Sequence, residues 1–133
     1  MAARQRQTYG EEVANVLTHG AGMLFGMTAI IILMKAAIRS GNPWAIGSFA
    51  VYAVCMTLSY VTSTFYHAST HARQKRLLRR FDHGAIYLHI AGTYTPFTLL
   101  ALRQEGYWGW SLFAVIWIAA VAGVCLSFMK MRK

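Results

Sequence analysis

Charged residues divide this sequence into four long uncharged stretches. None falls between Val13 and Met34, between Ser40 and Tyr66, between Gly84 and Leu102, or between Gly106 and Met129. The stretches hold 22, 27, 19 and 24 residues, and about 20 apolar residues suffice to cross a ~30 Å hydrocarbon core. A soluble helix of such length would present one polar face, whereas runs such as Leu112–Val121 present none. The pattern predicts four transmembrane helices, at about 11–38, 43–68, 82–102 and 107–129, after a polar tail over residues 1–10. The fold class is therefore all-α: a polytopic helical membrane bundle, with 11–133 as its transmembrane domain. Gly41-Asn42-Pro43 reads as a turn with Pro43 opening helix two, and Trp44, Trp108 and Trp110 mark the membrane interface. Pro96 is expected to kink helix three. The segment His71–Arg80 is too charged to be embedded and reads as a partly helical connector.

Composition agrees. Hydrophobic residues make up 56% and charged residues 13%, about half the ~25% charge content of soluble proteins. The first apolar stretch exceeds the 7–15 residues of a signal-peptide core, and no small-residue cleavage site ends it, so it is read as retained. Cys55 and Cys125 both fall inside predicted helices and read as small buried hydrophobes rather than a disulfide. A net charge of +9 would suggest nucleic acid as partner for a soluble chain. Here position decides otherwise, because ten of the 13 basic residues fall on one side of the predicted membrane. They are Arg4 and Arg6, the cluster Arg73, Lys75, Arg76, Arg79 and Arg80, and Lys130, Arg132 and Lys133, leaving only Lys35, Arg39 and Arg103 opposite. The positive-inside rule then places the N-terminus and the second connector in the cytoplasm. The expected partners are membrane lipids, whose anionic headgroups suit these clusters, and not nucleic acid. Self-association into a homo-oligomer is left open.

Polar positions recur at helical spacing. Glu11, Asn15, His19, Gly22 and Gly26 share one face of helix one, with Gly22-x3-Gly26 small enough for close helix contact. Glu11 and Asn15 could instead cap the helix, a reading that leaves His19, two turns in, unexplained. Cys55, Ser59, Ser63 and His67 follow at i+4 steps on helix two, where serine hydroxyls could also bond back to the preceding turn. Asp82, His89, Thr93 and Pro96 align on helix three, and Asp82 could serve as its N-cap. Topology places Glu11, Asn15, His19, Ser63, His67 and Asp82 at the cytoplasmic end, which predicts one shared site.

Such a site suits zinc chemistry. Imidazole is a common zinc ligand, and catalytic zinc takes three protein ligands plus a water. Bound to zinc, that water approaches a pKa of about 7 and can act as nucleophile. His67 would be a metal ligand, Asp82 the general base or water holder, and Ser63 a hydrogen-bond donor near the metal or an oxyanion. His67 and His71 also make a zinc-compatible His-x3-His, although Thr70–Lys75 has the polarity of an exposed connector. From the residues alone zinc is the minority reading, because a lone intramembrane histidine is more often hydrogen-bonded than metal-bound.

Three ordered motifs carry a resemblance. Glu11-Glu-Val-Ala-Asn15-Val-Leu-Thr-His19-Gly20, Ser63-Thr-Phe-Tyr-His67 and Arg80-Phe-Asp82-His83 through Gly92-Thr-Tyr-Thr-Pro96-Phe97 resemble the haemolysin III family, the bacterial branch of the progestin and adipoQ receptor group. The resemblance implies a seven-helix protein of the bacterial inner membrane with a cytoplasmic N-terminus. It also implies zinc near the cytoplasmic face, with His67 as first ligand and Ser63 and Asp82 as polar partners. The remaining two ligands in that family form a His-x3-His on helix seven. This sequence is accordingly expected to be the N-terminal four-helix portion, lacking helices five to seven and binding zinc poorly alone. By analogy with ceramidase-like relatives the complete protein would hydrolyse a lipid amide or regulate membrane homeostasis. The alternatives are a pore-forming cytolysin and a non-enzymatic membrane sensor.

Overall fold

The computed structural model describes residues 8–129. Arg4, Arg6, Lys130, Arg132 and Lys133, on which part of the charge bias rests, lie outside the described residues, as does most of the 1–10 tail. Helix α1 runs Tyr9–Ser40 and is opened by a reciprocal cap. Thr8 Oγ1 accepts from the Glu11 N–H at 3.3 Å, and Glu11 Oε2 accepts from the Thr8 N–H at 2.7 Å. Gly41, at φ 63°, closes the helix in the left-handed region and donates to Ile38 O at 3.1 Å. Asn42 then caps α2 (Pro43–Ala68), its Oδ1 accepting from the Trp44 N–H at 3.0 Å. The expected turn is thus one residue closing a helix and one opening the next.

Helix α3 differs from expectation. It starts at Ala72 rather than near Asp82 and runs to Pro96, so the basic connector is its first three turns. Arg, Lys, Gln and Leu are strong helix formers, and the chain continues one helix through them. Asp82 therefore lies ten residues inside α3 and does not cap it. At the other end, Pro96 has no N–H to offer Gly92 O, and its ring crowds that carbonyl. The chain widens into a π-type turn over Phe97–Ala101, closed by Leu102 N–H donating to Phe97 O at 3.1 Å. Helix α4 spans Trp108–Met129.

By length and composition α1, α2 and α4 can each cross a bilayer, so three helices meet that criterion where four spans were expected. The exception is α3, charged through its first turns and dotted with His89, Thr93 and Thr95 beyond them, with Thr98 following in the π-type turn. It packs between α2 and α4; its threonine hydroxyls bond back to their own backbone, and Trp117 of α4 adds one bond from outside. Thr95 and Thr98 are each 1% exposed. Thr95 Oγ1 donates to Ala91 O at 2.8 Å and accepts from Trp117 Nε1 at 3.1 Å.

Side-chain size is sorted opposite to a soluble core. The buried apolar residues are mostly small, including Ala37, Ala45, Cys55, Ala85, Ala91 and Ala120, while Leu24, Phe25, Ile32, Val54 and Ile118 point outward. Water would penalise that outward surface by roughly 25 cal/mol per Å², and lipid does not. Small interfacial residues allow the close backbone approach on which helix association in lipid depends. The molecule is a multi-pass helical membrane protein.

At Gly92 the second and third helices come close, and a Cβ there would fall 2.5 Å from Cys55 Cβ and 3.6 Å from Tyr52 Cα. Gly22 and Gly26 face Tyr60 and Met56 of α2 in the same manner. Gly92→Ala should destabilise the bundle by about 1–3 kcal/mol through overpacking. Gly20→Ala, whose Cβ meets nothing within 4 Å, should not. SDS-induced unfolding in micelles measures both, and equal stability of the two variants would contradict this packing.

Candidate functional site

Three helices meet around one carboxylate. Near the start of α1, Glu12 Oε2 lies 2.6 Å from His67 Nδ1 on the last turn of α2. Its other oxygen, Oε1, accepts from Lys75 Nζ in the first turn of α3. The connector is helical from Ala72 onward and continuous with the rest of α3, and this places Lys75 against Glu12 near the start of α1. Lys75 Nζ also stands 5.3 Å from the centre of the Tyr66 ring, which packs 4.7 Å from the His67 ring. The His67 side chain is 9% exposed, Glu12 19% and Lys75 29%, so the pair is sheltered but not dry.

The geometry assigns a proton. A carboxylate oxygen and an unprotonated ring nitrogen are both acceptors, so a 2.6 Å contact needs a hydrogen between them. With Lys75 on the same carboxylate, that hydrogen belongs to Nδ1. In the neutral ring the lone pair is then on Nε2. Asn15 Nδ2 lies 3.4 Å from the same Nδ1; with the hydrogen on Nδ1 both groups are donors, so this is a packing contact and not a hydrogen bond.

Of the expected residues, Asn15 and His19 lie beside His67, with the His19 ring 5.9 Å from the His67 ring. Ser63 is buried one turn deeper on α2. Glu11 is not turned toward His67; its carboxylate is held by the Thr8 N–H. Asp82 is sheltered, 12% exposed, and pairs with His83 Nδ1 at 3.6 Å. No hydrogen bond or ion pair among the described residues joins it to His67. His71 is exposed just before α3 and makes no side-chain cap there.

Glu12, Lys75 and Tyr66 were not singled out by sequence reasoning, and neither was Tyr60. Tyr60 extends the row inward: its ring is 6.2 Å from that of His19 and 5.9 Å from that of His89. Imidazole and phenol groups thus run from the cluster toward the bundle interior, where polar groups are costly and mark function.

For a metal, the residues fit as one ligand and not as a complete site. A zinc-bound histidine commonly donates its second ring N–H to a carboxylate, and His67 with Glu12 has that form. Yet no group of three or more His, Cys, Asp or Glu side chains that could hold an ion occurs among the described residues.

The sequence model for haemolysin-III related proteins matches residues 7–133. The chain belongs to the haemolysin III family. It is 43% identical over 130 residues to Hemolysin-3 of Bacillus cereus, covering 98% of this chain and 58% of that protein. With the Hemolysin-3 homolog of Bacillus subtilis (strain 168) it shares 40% identity over 126 residues, covering 95% and 58% respectively. The chain thus spans 58% of the length of these curated relatives. No solved structure matches it.

A double-mutant cycle separates the two neighbouring glutamates. Glu12→Gln and Lys75→Gln should show a coupling of about 0.2–1 kcal/mol, the range of partly solvated ion pairs. Glu11→Gln should lose capping stability yet show no coupling to Lys75→Gln. Coupling of Lys75 to Glu11 instead would reverse the assignment.

Proposed function

We propose that this haemolysin III chain supplies the first half of a zinc site at the cytoplasmic end of an inner-membrane protein, and that the complete site hydrolyses a lipid amide. The observation that supports it most is the 2.6 Å contact between His67 Nδ1 and Glu12 Oε2: with the proton on Nδ1, the neutral ring keeps its lone pair on Nε2, where a metal would bind. The other zinc ligands would come from the part of the family length that this chain does not span. Zinc, when bound, would activate a water at the membrane surface. The chain's own residues have positional roles in this reading. Glu12 holds the His67 ring in one tautomer, and Lys75 holds Glu12. Ser63, one turn deeper, faces the reacting group as a hydrogen-bond donor, and Asp82 holds the water or takes its proton. The basic face formed by Arg73, Arg76, Arg79 and Arg80 with Lys75 is the cytoplasmic one by the positive-inside rule.

A second reading, cytolysis, rests on the name of the Bacillus cereus relative. It needs lipid leakage and no turnover.

The test uses purified protein in a form spanning the whole length of its relatives. About one zinc per chain is expected, falling at least tenfold in His67→Ala, with loss of ceramide hydrolysis in His67→Ala and Asp82→Ala. These losses correspond to removal of a metal ligand and of a general base. Undiminished turnover in His67→Ala would reject the hydrolase reading. Liposome leakage that persists in both variants would favour cytolysis.

A further inference from the structure

The opposite end of the bundle carries a different feature. There α2 begins, α3 ends and α4 begins, and a groove of about 760 Å³ opens sideways between α2 and α4. Its walls include Trp44, Leu99, Phe113 and Trp117. At its floor Ser48 and Thr95 are each 1% exposed, and both hydroxyls are already used. Ser48 Oγ donates to Ala45 O at 3.3 Å, and Thr95 Oγ1 is bonded to Ala91 O and Trp117 Nε1. The groove therefore offers an incoming group mainly apolar contact and no free hydroxyl proton, which disfavours a carboxylate, phosphate or carbonyl in its depth.

Its mouth is cationic. The Arg103 guanidinium stacks over Trp44 at 4.3 Å, and Arg103 Nε donates to Leu99 O at 3.3 Å. Both anchors are lining residues of the groove, so the charge is fixed at the rim rather than free to swing. The Trp44 and Trp110 rings meet edge to face at 5.8 Å beside it, the arrangement of a membrane-interface belt. Among the described residues Arg103 uses only Nε in hydrogen bonding, and it forms no ion pair with nearby Glu105. Its two Nη groups remain for an anion, and a guanidinium fork suits the paired oxygens of a phosphate.

We propose that this groove binds one phospholipid, with its phosphate on Arg103 and one acyl chain lying between α2 and α4 against Phe113 and Trp117. The volume lies within the usual range for small-molecule sites. The charge at the rim selects a phosphate-bearing lipid over a neutral one, and the satisfied floor selects a hydrocarbon chain. The site is independent of the His67 cluster, which lies at the other end of the helices.

Native mass spectrometry of the detergent-solubilised protein with added phosphatidylglycerol or diacylglycerol tests this. One phosphatidylglycerol should be retained per chain, and diacylglycerol should not. Arg103→Gln should weaken retention about tenfold, as loss of a charge-assisted contact does, while Arg103→Lys should keep part of it. Gly47 lines the groove with open space where a Cβ would stand. Gly47→Leu should therefore block the chain without disturbing α2, and circular dichroism should match that of the unsubstituted protein. Equal retention of both lipids, or retention unchanged in Arg103→Gln and Gly47→Leu, would overturn the proposal. So would a lipid-free dimer that Gly47→Leu converts to monomer, which would assign the groove to a second copy.

Discussion

The Glu12 carboxylate is the interaction on which the polar end of this bundle depends. It accepts from the second helix through His67 and from the third through Lys75, while belonging itself to the first. In lipid, helices gain little from burying apolar side chains against one another, since the tails solvate them equally well. What fixes their relative position is close contact between small residues and a few polar bonds. Gly92 against Cys55 and Gly22 against Tyr60 supply the first kind, and Glu12 supplies the second where the helices emerge. The helical path of the basic segment is part of the same arrangement, since an irregular connector would not return Lys75 to α1.

The two ends of the molecule use charge differently. At one end a carboxylate orients an imidazole beside His19, Asn15 and the inward row of Tyr60 and His89. At the other, a single arginine is pinned by an indole and a backbone carbonyl at the rim of an apolar groove. Between them lies α3, whose hydroxyls bond back to their own helix or to Trp117. A helix too polar to face lipid along its whole length is thereby kept in the bundle.

Much of this was legible in the amino-acid order. Charge-free stretches located the helices, because hydrocarbon tolerates few charges over 20 residues. Gly41, Asn42 and Pro43 marked the first turn, because each has a specific backbone preference. Helical spacing brought Asn15 and His19 to the face that meets His67. The choice between Glu11 and Glu12 was not legible from periodicity, since both fit a stripe through Asn15 and His19. Thr8-x-x-Glu11 was the signal that separates them: a threonine three residues before a glutamate is a capping box, which occupies Glu11 and leaves Glu12 to face α2. Lys75 was hidden among five basic residues that a topology argument treats as equivalent. The start of α3 was misplaced because a charged, partly helical connector reads as separate from the apolar helix after it, although its residues favour helix throughout. Cross-helix contacts such as Tyr60 with His19 depend on rotation of each helix about its axis, which one sequence does not specify.

The central claim is that Glu12 holds the proton of the neutral His67 ring on Nδ1 and leaves Nε2 as the donor. Nitrogen-15 NMR of the histidine-labelled protein in micelles reads this directly, at a pH where the ring is neutral and with Glu12→Gln as comparison. The account predicts a protonated Nδ1 and a bare Nε2 for His67, with the preference reduced in Glu12→Gln. A bare Nδ1 with the proton on Nε2, or a tautomer ratio indifferent to Glu12→Gln, would contradict it.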